Sequence, residues 1–207
     1  MAERTDIMQD YSSLSPAELR AKFRTGELVL PTAGLCPGYI QGNLVILHRR
    51  YGEDFLQFMK QNPKPCPILE VFDQGSPISH KMAEGADITT DIPLYRIYRN
   101  GVFEEEVKDV SGYWNEDMVG FLIGCSLTFE SRLVEAGIPL KHYEENKRVP
   151  MFDTNIACKP SKLFHGNYVV SMRPVKKELV DLAVKITEPM DYAHGAPVQI
   201  GDPDAIG

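Results

Sequence analysis

Apolar positions along the chain recur with two spacings, and the switches between them mark out its elements. Ser15-Pro16-Ala17-Glu18 has the form of a capping box with proline at the first helical position, in which side chains satisfy orphan backbone donors. The spacing predicts a helix to Arg24 or Thr25, stopping near Gly26, with Leu19 and Phe23 on one face and Arg20 and Arg24 on a solvated one. A loop over Pro31–Gly38 follows, then an apolar stretch from Leu44 to Leu47. A second helix is predicted over Glu53–Gln61, with Phe55, Phe58 and Met59 inward and Asn62-Pro63 as its stop. Pro67–Phe72 reads as a buried strand. Tyr95–Arg99 and Val102–Glu106 flank Asn100-Gly101, a strong two-residue hairpin signal.

Farther on, the apolar run Met118–Ile123 meets Gly124-Cys125-Ser126, and Leu127–Ala136 has helical spacing up to Gly137. That is a strand, a tight turn and a helix. Tyr168–Met172 reads as a strand, and Lys176–Thr187 as a helix with Leu179, Leu182, Ala183 and Ile186 inward. The end, from His194 to Pro203, is loop-like and polar. Strands alternate with helices, but a hairpin and glycine-rich segments interrupt the alternation. The expected fold is mixed α/β, a mixed sheet with helices, in two intertwined lobes of one unit spanning residues 15–207 after a flexible stretch over 1–14.

Composition narrows the partners. With 43% hydrophobic and 25% charged residues in 207, the chain is an ordinary globular protein whose core needs no disulfide or metal staple. A net charge of -7 and a pI near 5.3 argue against nucleic acid and anionic membrane surfaces. An anionic small substrate then requires a local cluster of arginine and backbone N–H groups. Cys36, Cys66, Cys125 and Cys158 stand about thirty or more residues apart, without a C-x-x-C pair, so no metal site is expected. Residues 1–9 have neither the apolar core of a signal peptide nor the arginines of a transit peptide. The expected location is the cytoplasm, or the mitochondrial matrix for a eukaryotic chain cut from a longer precursor.

The turn at Gly124-Cys125-Ser126 is the most informative element. A helix starting at Ser126 would aim its first N–H groups and its dipole at an anion, giving a carboxylate cradle to which Cys125 and Ser126 add donors and Glu130 a carboxylate one turn on. The plainer reading makes Cys125 a core residue and Ser126 a cap. Arg173, at the end of a predicted strand, could grip a carboxylate with two parallel hydrogen bonds; the commoner use of such an arginine is an internal salt bridge. His194 and Asp202 bracket a rigid loop with one group that titrates near neutrality and one acid. Gln41 and Asn43 could orient a polar substrate or simply brace their own loop. His48, His80, His142 and His165 have no partner spacing that singles them out.

Eight blocks in order resemble the D-glutamate cyclase family: PTAGLCPGYIQGNLVIL from Pro31, DFLQF from Asp54, NPKPCPILEV from Asn62, DITTDIPLYRIYRNG from Asp87, FLIGCSLTFE from Phe121, AGIP from Ala136, VVSMRP from Val169 and HGAPVQIGDP from His194. The family pattern differs in reading His at Gln199 and Met-Tyr-Arg-Thr-Asn where Met151-Phe152-Asp153-Thr154-Asn155 stands. Family members also continue past Gly207, so the chain looks shortened at its C-terminus. The resemblance implies a cofactor-free hydro-lyase that closes D-glutamate to 5-oxo-D-proline, with a small amino acid as ligand and a homo-oligomer allowed. Such chemistry needs a base, an acid and oxyanion donors. Laid on these motifs, Arg173 holds the α-carboxylate, the Gly124–Ser126 turn binds the γ-carboxyl, Glu130 is the base and His194 or Asp202 the acid. The alternatives are a hydro-lyase on another small amino or hydroxy acid, an inactive carboxylate-binding module and, least favoured, a thiol mechanism at Cys125, for which no base is evident.

Overall fold

The computed structural model describes residues 11–207 apart from Ser12, Gln74 and Asn146, so most of the stretch expected to be flexible lies outside the described residues. The fold is mixed α/β. In chain order the main elements are α1 (Pro16–Arg24), β1 (Gly42–His48), α2 (Arg49–Gln61), β2 (Ile68–Phe72), β3 (Tyr95–Arg99), β4 (Val102–Val107), β5 (Met118–Gly124), α3 (Glu130–Glu135), α4 (Lys141–Glu144), β6 (Met151–Ala157), β7 (Asn167–Ser171) and α5 (Val180–Thr187). Three strands form a sheet in the order β1-β5-β2, and β3-β4 and β6-β7 are antiparallel pairs.

The chain divides into two compact units. One gathers the described residues up to Tyr39, Leu44–Arg50 and Glu70–Leu122; the other gathers Ile40–Asn43, Tyr51–Leu69 and Ile123–Gly207.

In the first unit, α1 starts as its capping box dictates, with Ser15 Oγ accepting from the Glu18 N–H and the Glu18 side chain accepting from the Ser15 N–H. Its apolar face, Leu19 and Phe23, packs with Leu28, Leu35 and Cys36. Arg24 is not merely solvated: Nε and Nη2 donate to the two oxygens of buried Asp91 over 2.7 and 2.6 Å. That fork holds the Asp91 carboxyl below its ordinary pKa against the opposing effect of burial. The β3-β4 hairpin turns on Asn100 and Gly101 with φ of 52° and 79°, the left-handed pair that a two-residue turn of this hand requires.

The second unit has its core between α3, α5 and the loops beside them, where Phe129, Leu133, Ile138, Leu140, Met190 and Ala193 are buried. Leu179, Ala183 and Ile186 pack on this core, but Leu182 is exposed, a correction to its expected inward place. Helix α2 begins at Arg49, four residues earlier than expected, because Gly52 is buried within it rather than breaking it. Asn62 ends it as foreseen: Nδ2 donates to the Phe58 carbonyl at 2.8 Å, and Oδ1 accepts from the Lys159 N–H at 2.7 Å. Strand β6 and the short α4 have no counterpart among the expected elements.

Candidate active site

All the residues that build the candidate site belong to the second unit. Strand β5 ends at Gly124, whose N–H donates to the Pro67 carbonyl at 2.9 Å. A Cβ there would stand 1.8 Å from the Tyr192 carbonyl oxygen, so only glycine lets the turn Asp191–Ala193 seat against the strand end. The Cys125 N–H then donates to the Gln41 carbonyl at 3.1 Å, and the Gln41 N–H to Thr128 Oγ1 at 2.9 Å. The corner is thereby pinned through the main chain of Gln41.

After the corner the chain takes a 3-10 turn over Ser126–Phe129 and only then the six-residue α3. The expected helix opening at Ser126 is thus corrected. A short α segment that starts four residues later does not present a full dipole at Cys125. What the turn does achieve is to carry Glu130 into the interior.

Glu130 is 0% exposed. Its Oε1 accepts from Arg173 Nε at 3.0 Å and Nη2 at 2.6 Å, and stands 3.0 Å from Nε2 of His142, itself 6% exposed. The other oxygen, Oε2, is buried with no hydrogen-bond partner. Arg173, with a side chain 10% exposed, also donates from Nη1 to Ser171 Oγ at 2.8 Å and from Nη2 to Ser126 Oγ at 3.0 Å, while its guanidinium carbon lies 4.9 Å from the Phe129 ring centre. Four of the five guanidinium N–H groups are committed by these bonds. The single one that remains cannot make the two-pronged grip on a carboxylate that the sequence suggested, so the arginine's bonds here are internal.

His194 adopts the left-handed region at φ 78°, uncommon for a non-glycine residue and fixed by its surroundings. Nδ1 lies 2.8 Å from the Lys64 carbonyl, while the Lys64 ammonium donates back to the His194 and Ala196 carbonyls at 3.0 and 2.6 Å. Burial pulls the imidazole pKa below its ordinary value; the Lys64 and Arg173 charges act the same way, and contacts with the Lys64 and Gly124 carbonyls oppose them. The corner, Arg173 and the His194 loop therefore meet. Asp202 and Asn43 do not join them. Asp202 is exposed and caps the last turn by accepting from the Asp204 N–H at 3.1 Å, and Asn43 is exposed on β1.

Among the described residues no group of three or more His, Cys, Asp or Glu could hold a metal ion, and no helix is long and apolar enough to cross a membrane.

A model of the D-glutamate cyclase family matches residues 119–207, which contain Gly124, Cys125, Ser126, Glu130, His142, Ser171, Arg173, His194 and Asp202. A relative from Thermoanaerobacter sp. (strain X514) is 54% identical over 96% of this chain and 75% of its own length. The chain belongs to the D-glutamate cyclase family. Other members similar to it come from Clostridium beijerinckii, 50% identical over 96% of this chain and 76% of the relative, and Stutzerimonas stutzeri, 51% identical over 95% and 74%. All three bear the name "Putative hydro-lyase".

Two site residues of this family member escaped the sequence reading. His142 showed no ligand spacing, and its place beside Glu130 arises from the tertiary fold alone. Ser171 lay in plain view in Val-Ser-Met-Arg-Pro, two residues before Arg173, a spacing that puts both on one face of an extended strand. At the family departures, the Gln199 amide donates to the Ile200 and Asp202 carbonyls at 3.3 and 2.9 Å, bracing its own loop, and Asp153 is exposed opposite Val169 in the β6-β7 pair.

Proposed function

We propose that this chain is a hydro-lyase that closes D-glutamate to 5-oxo-D-proline with release of water. The observation that carries the reading is the asymmetry of Glu130, a wholly buried carboxylate with one oxygen held by Arg173 and the other without a partner. A buried acceptor left unsatisfied is costly by about 1–3 kcal/mol, and a ligand N–H would remove that cost. The hydro-lyase names of the relatives support the same reaction class.

The chemistry fits one carboxylate acting in both directions. The substrate ammonium must lose two protons as its nitrogen bonds to the γ-carboxyl carbon, and the departing oxygen must gain two to leave as water. No proton is gained or lost overall. Glu130 Oε2 takes a proton from nitrogen and returns it to oxygen, so a separate acid is not required. That suits the neighbours: burial keeps His194 neutral near pH 7, and Asp202 is an exposed cap. Arg173 serves as a positioning residue, holding Oε1 so that Oε2 faces the substrate. Bringing nitrogen and carboxyl carbon together within one pocket is the other large contribution, up to roughly 7–11 kcal/mol in the best intramolecular cases.

The test is incubation with D-glutamate, L-glutamate and a panel of small amino and hydroxy acids, followed by chiral chromatography and mass detection of water loss. The reading expects 5-oxo-D-proline from D-glutamate. Water loss from a different acid would move the substrate within the hydro-lyase class, and stabilisation by D-glutamate without any product would make the chain a binding module.

A further inference from the structure

The two serines beside Arg173 form a unit that the reaction scheme above leaves unused. Ser171 Oγ accepts from Nη1 at 2.8 Å, Ser126 Oγ accepts from Nη2 at 3.0 Å, and the two hydroxyl oxygens stand 3.2 Å apart. A hydroxyl has one proton to donate and two lone pairs. Each oxygen already receives a guanidinium N–H, so each hydroxyl proton must point away from the arginine. Of the two protons, one closes the bond between the serines. The second has no acceptor in the network, and its oxygen is polarised by a charged donor, which makes it a stronger donor in turn. Both serines are only partly buried, so a ligand oxygen can reach them.

We propose that Ser126 and Ser171 together present this one outward O–H as the oxyanion donor of the site, directed at the carboxyl oxygen on which negative charge builds as the substrate nitrogen bonds to the carboxyl carbon. The ligand class is a small carboxylate that also carries an N–H donor for Glu130 Oε2. This inference rests on the hydro-lyase reading and adds Ser171, whose hydroxyl shares the work with Ser126. Because the mutual bond can run either way, either serine supplies the outward proton when the other is removed. No proton changes hands at the serines; they only stabilise developing charge.

The experiment compares Ser126→Ala, Ser171→Ala, the double alanine variant and the double threonine variant by kcat and KM on D-glutamate, with thermal unfolding as the check on folding. A single lost oxyanion donor lowers kcat by about 10²–10³. The double alanine variant is expected to show that loss with KM changed by less than about threefold. Each single variant should lose far less than the square root of it, and the threonine pair should stay within about tenfold of the parent. Single losses that multiply to the double loss, or a double alanine variant within threefold of the parent kcat, would overturn the shared-proton donor and leave the cyclase reading standing. If the unaltered protein does not turn over D-glutamate, that reading fails instead, and the serines are judged by thermal stabilisation with D-glutamate itself, which carries both the carboxylate and the N–H donor. Stabilisation lost in the alanine pair and kept in the threonine pair supports them; equal stabilisation, or none in any protein, overturns them.

Discussion

Arg173→Met would separate the electrostatic role of the guanidinium from its bulk. Methionine puts an apolar group where the guanidinium lies over Phe129 but removes both guanidinium N–H bonds to Glu130, which keeps only His142 Nε2 at 3.0 Å and has no exposed surface through which water could replace them. Breaking a buried pair by deleting one partner leaves the other charge uncompensated and costs about 3–5 kcal/mol. For a chain of this length such a loss lowers the unfolding midpoint by about 6–20 °C. Thermal unfolding followed by circular dichroism at pH 7 checks it. Adding Glu130→Gln to Arg173→Met should restore stability, since no buried charge is left to offset. A single variant within about 1 kcal/mol of the parent, or a double variant less stable than Arg173→Met, would refute the idea that this arginine holds a buried carboxylate.

Gly124→Ala should destabilise by about 1–3 kcal/mol in urea unfolding, because its methyl meets a main-chain carbonyl that cannot rotate aside, and should displace the His194 loop. His194 has a folded pKa below the ordinary 6.5, so the stability it contributes is complete above that value and is lost as pH falls from about 6.5 through the folded pKa. Unfolding midpoints measured from pH 8 to pH 4 should therefore fall more steeply in the parent than in His194→Asn. Cys125→Ala should keep most of its turnover of D-glutamate in the chromatographic assay, because no step is assigned to the thiol; abolished turnover in a folded variant would revive a sulfur nucleophile.

Local chemistry was legible where the chain itself dictates conformation. The Ser15 box, the Asn62 stop and the Asn100-Gly101 turn all formed where their residue types demand. The corner after β5 was also readable, since a buried apolar run ending in Gly-Cys-Ser has few ways to continue. Strand β6 was not, because Met151 and Phe152 are both exposed and Thr154 is the buried position, so no alternation of apolar residues marks it. Helix α3 was foreseen as longer because Leu127 and Phe129 continue its apolar spacing, yet those residues lie in a 3-10 turn. In the site, Glu130 and Arg173 were singled out as partners for a substrate; the fold makes them partners of each other. The same limit hid His142, since a contact between α3 and α4 is decided by packing and leaves no spacing to read.

The most direct test is the kcat of Glu130→Gln on D-glutamate. Glutamine preserves the size of the side chain and an oxygen that can accept from Arg173, but it cannot take up a proton and return it. Turnover to 5-oxo-D-proline should fall by several orders of magnitude in the folded variant, which still binds D-glutamate but has a lower unfolding midpoint, because the Arg173 charge is left without its carboxylate. A folded Glu130→Gln protein that forms 5-oxo-D-proline at the parent rate would contradict the account.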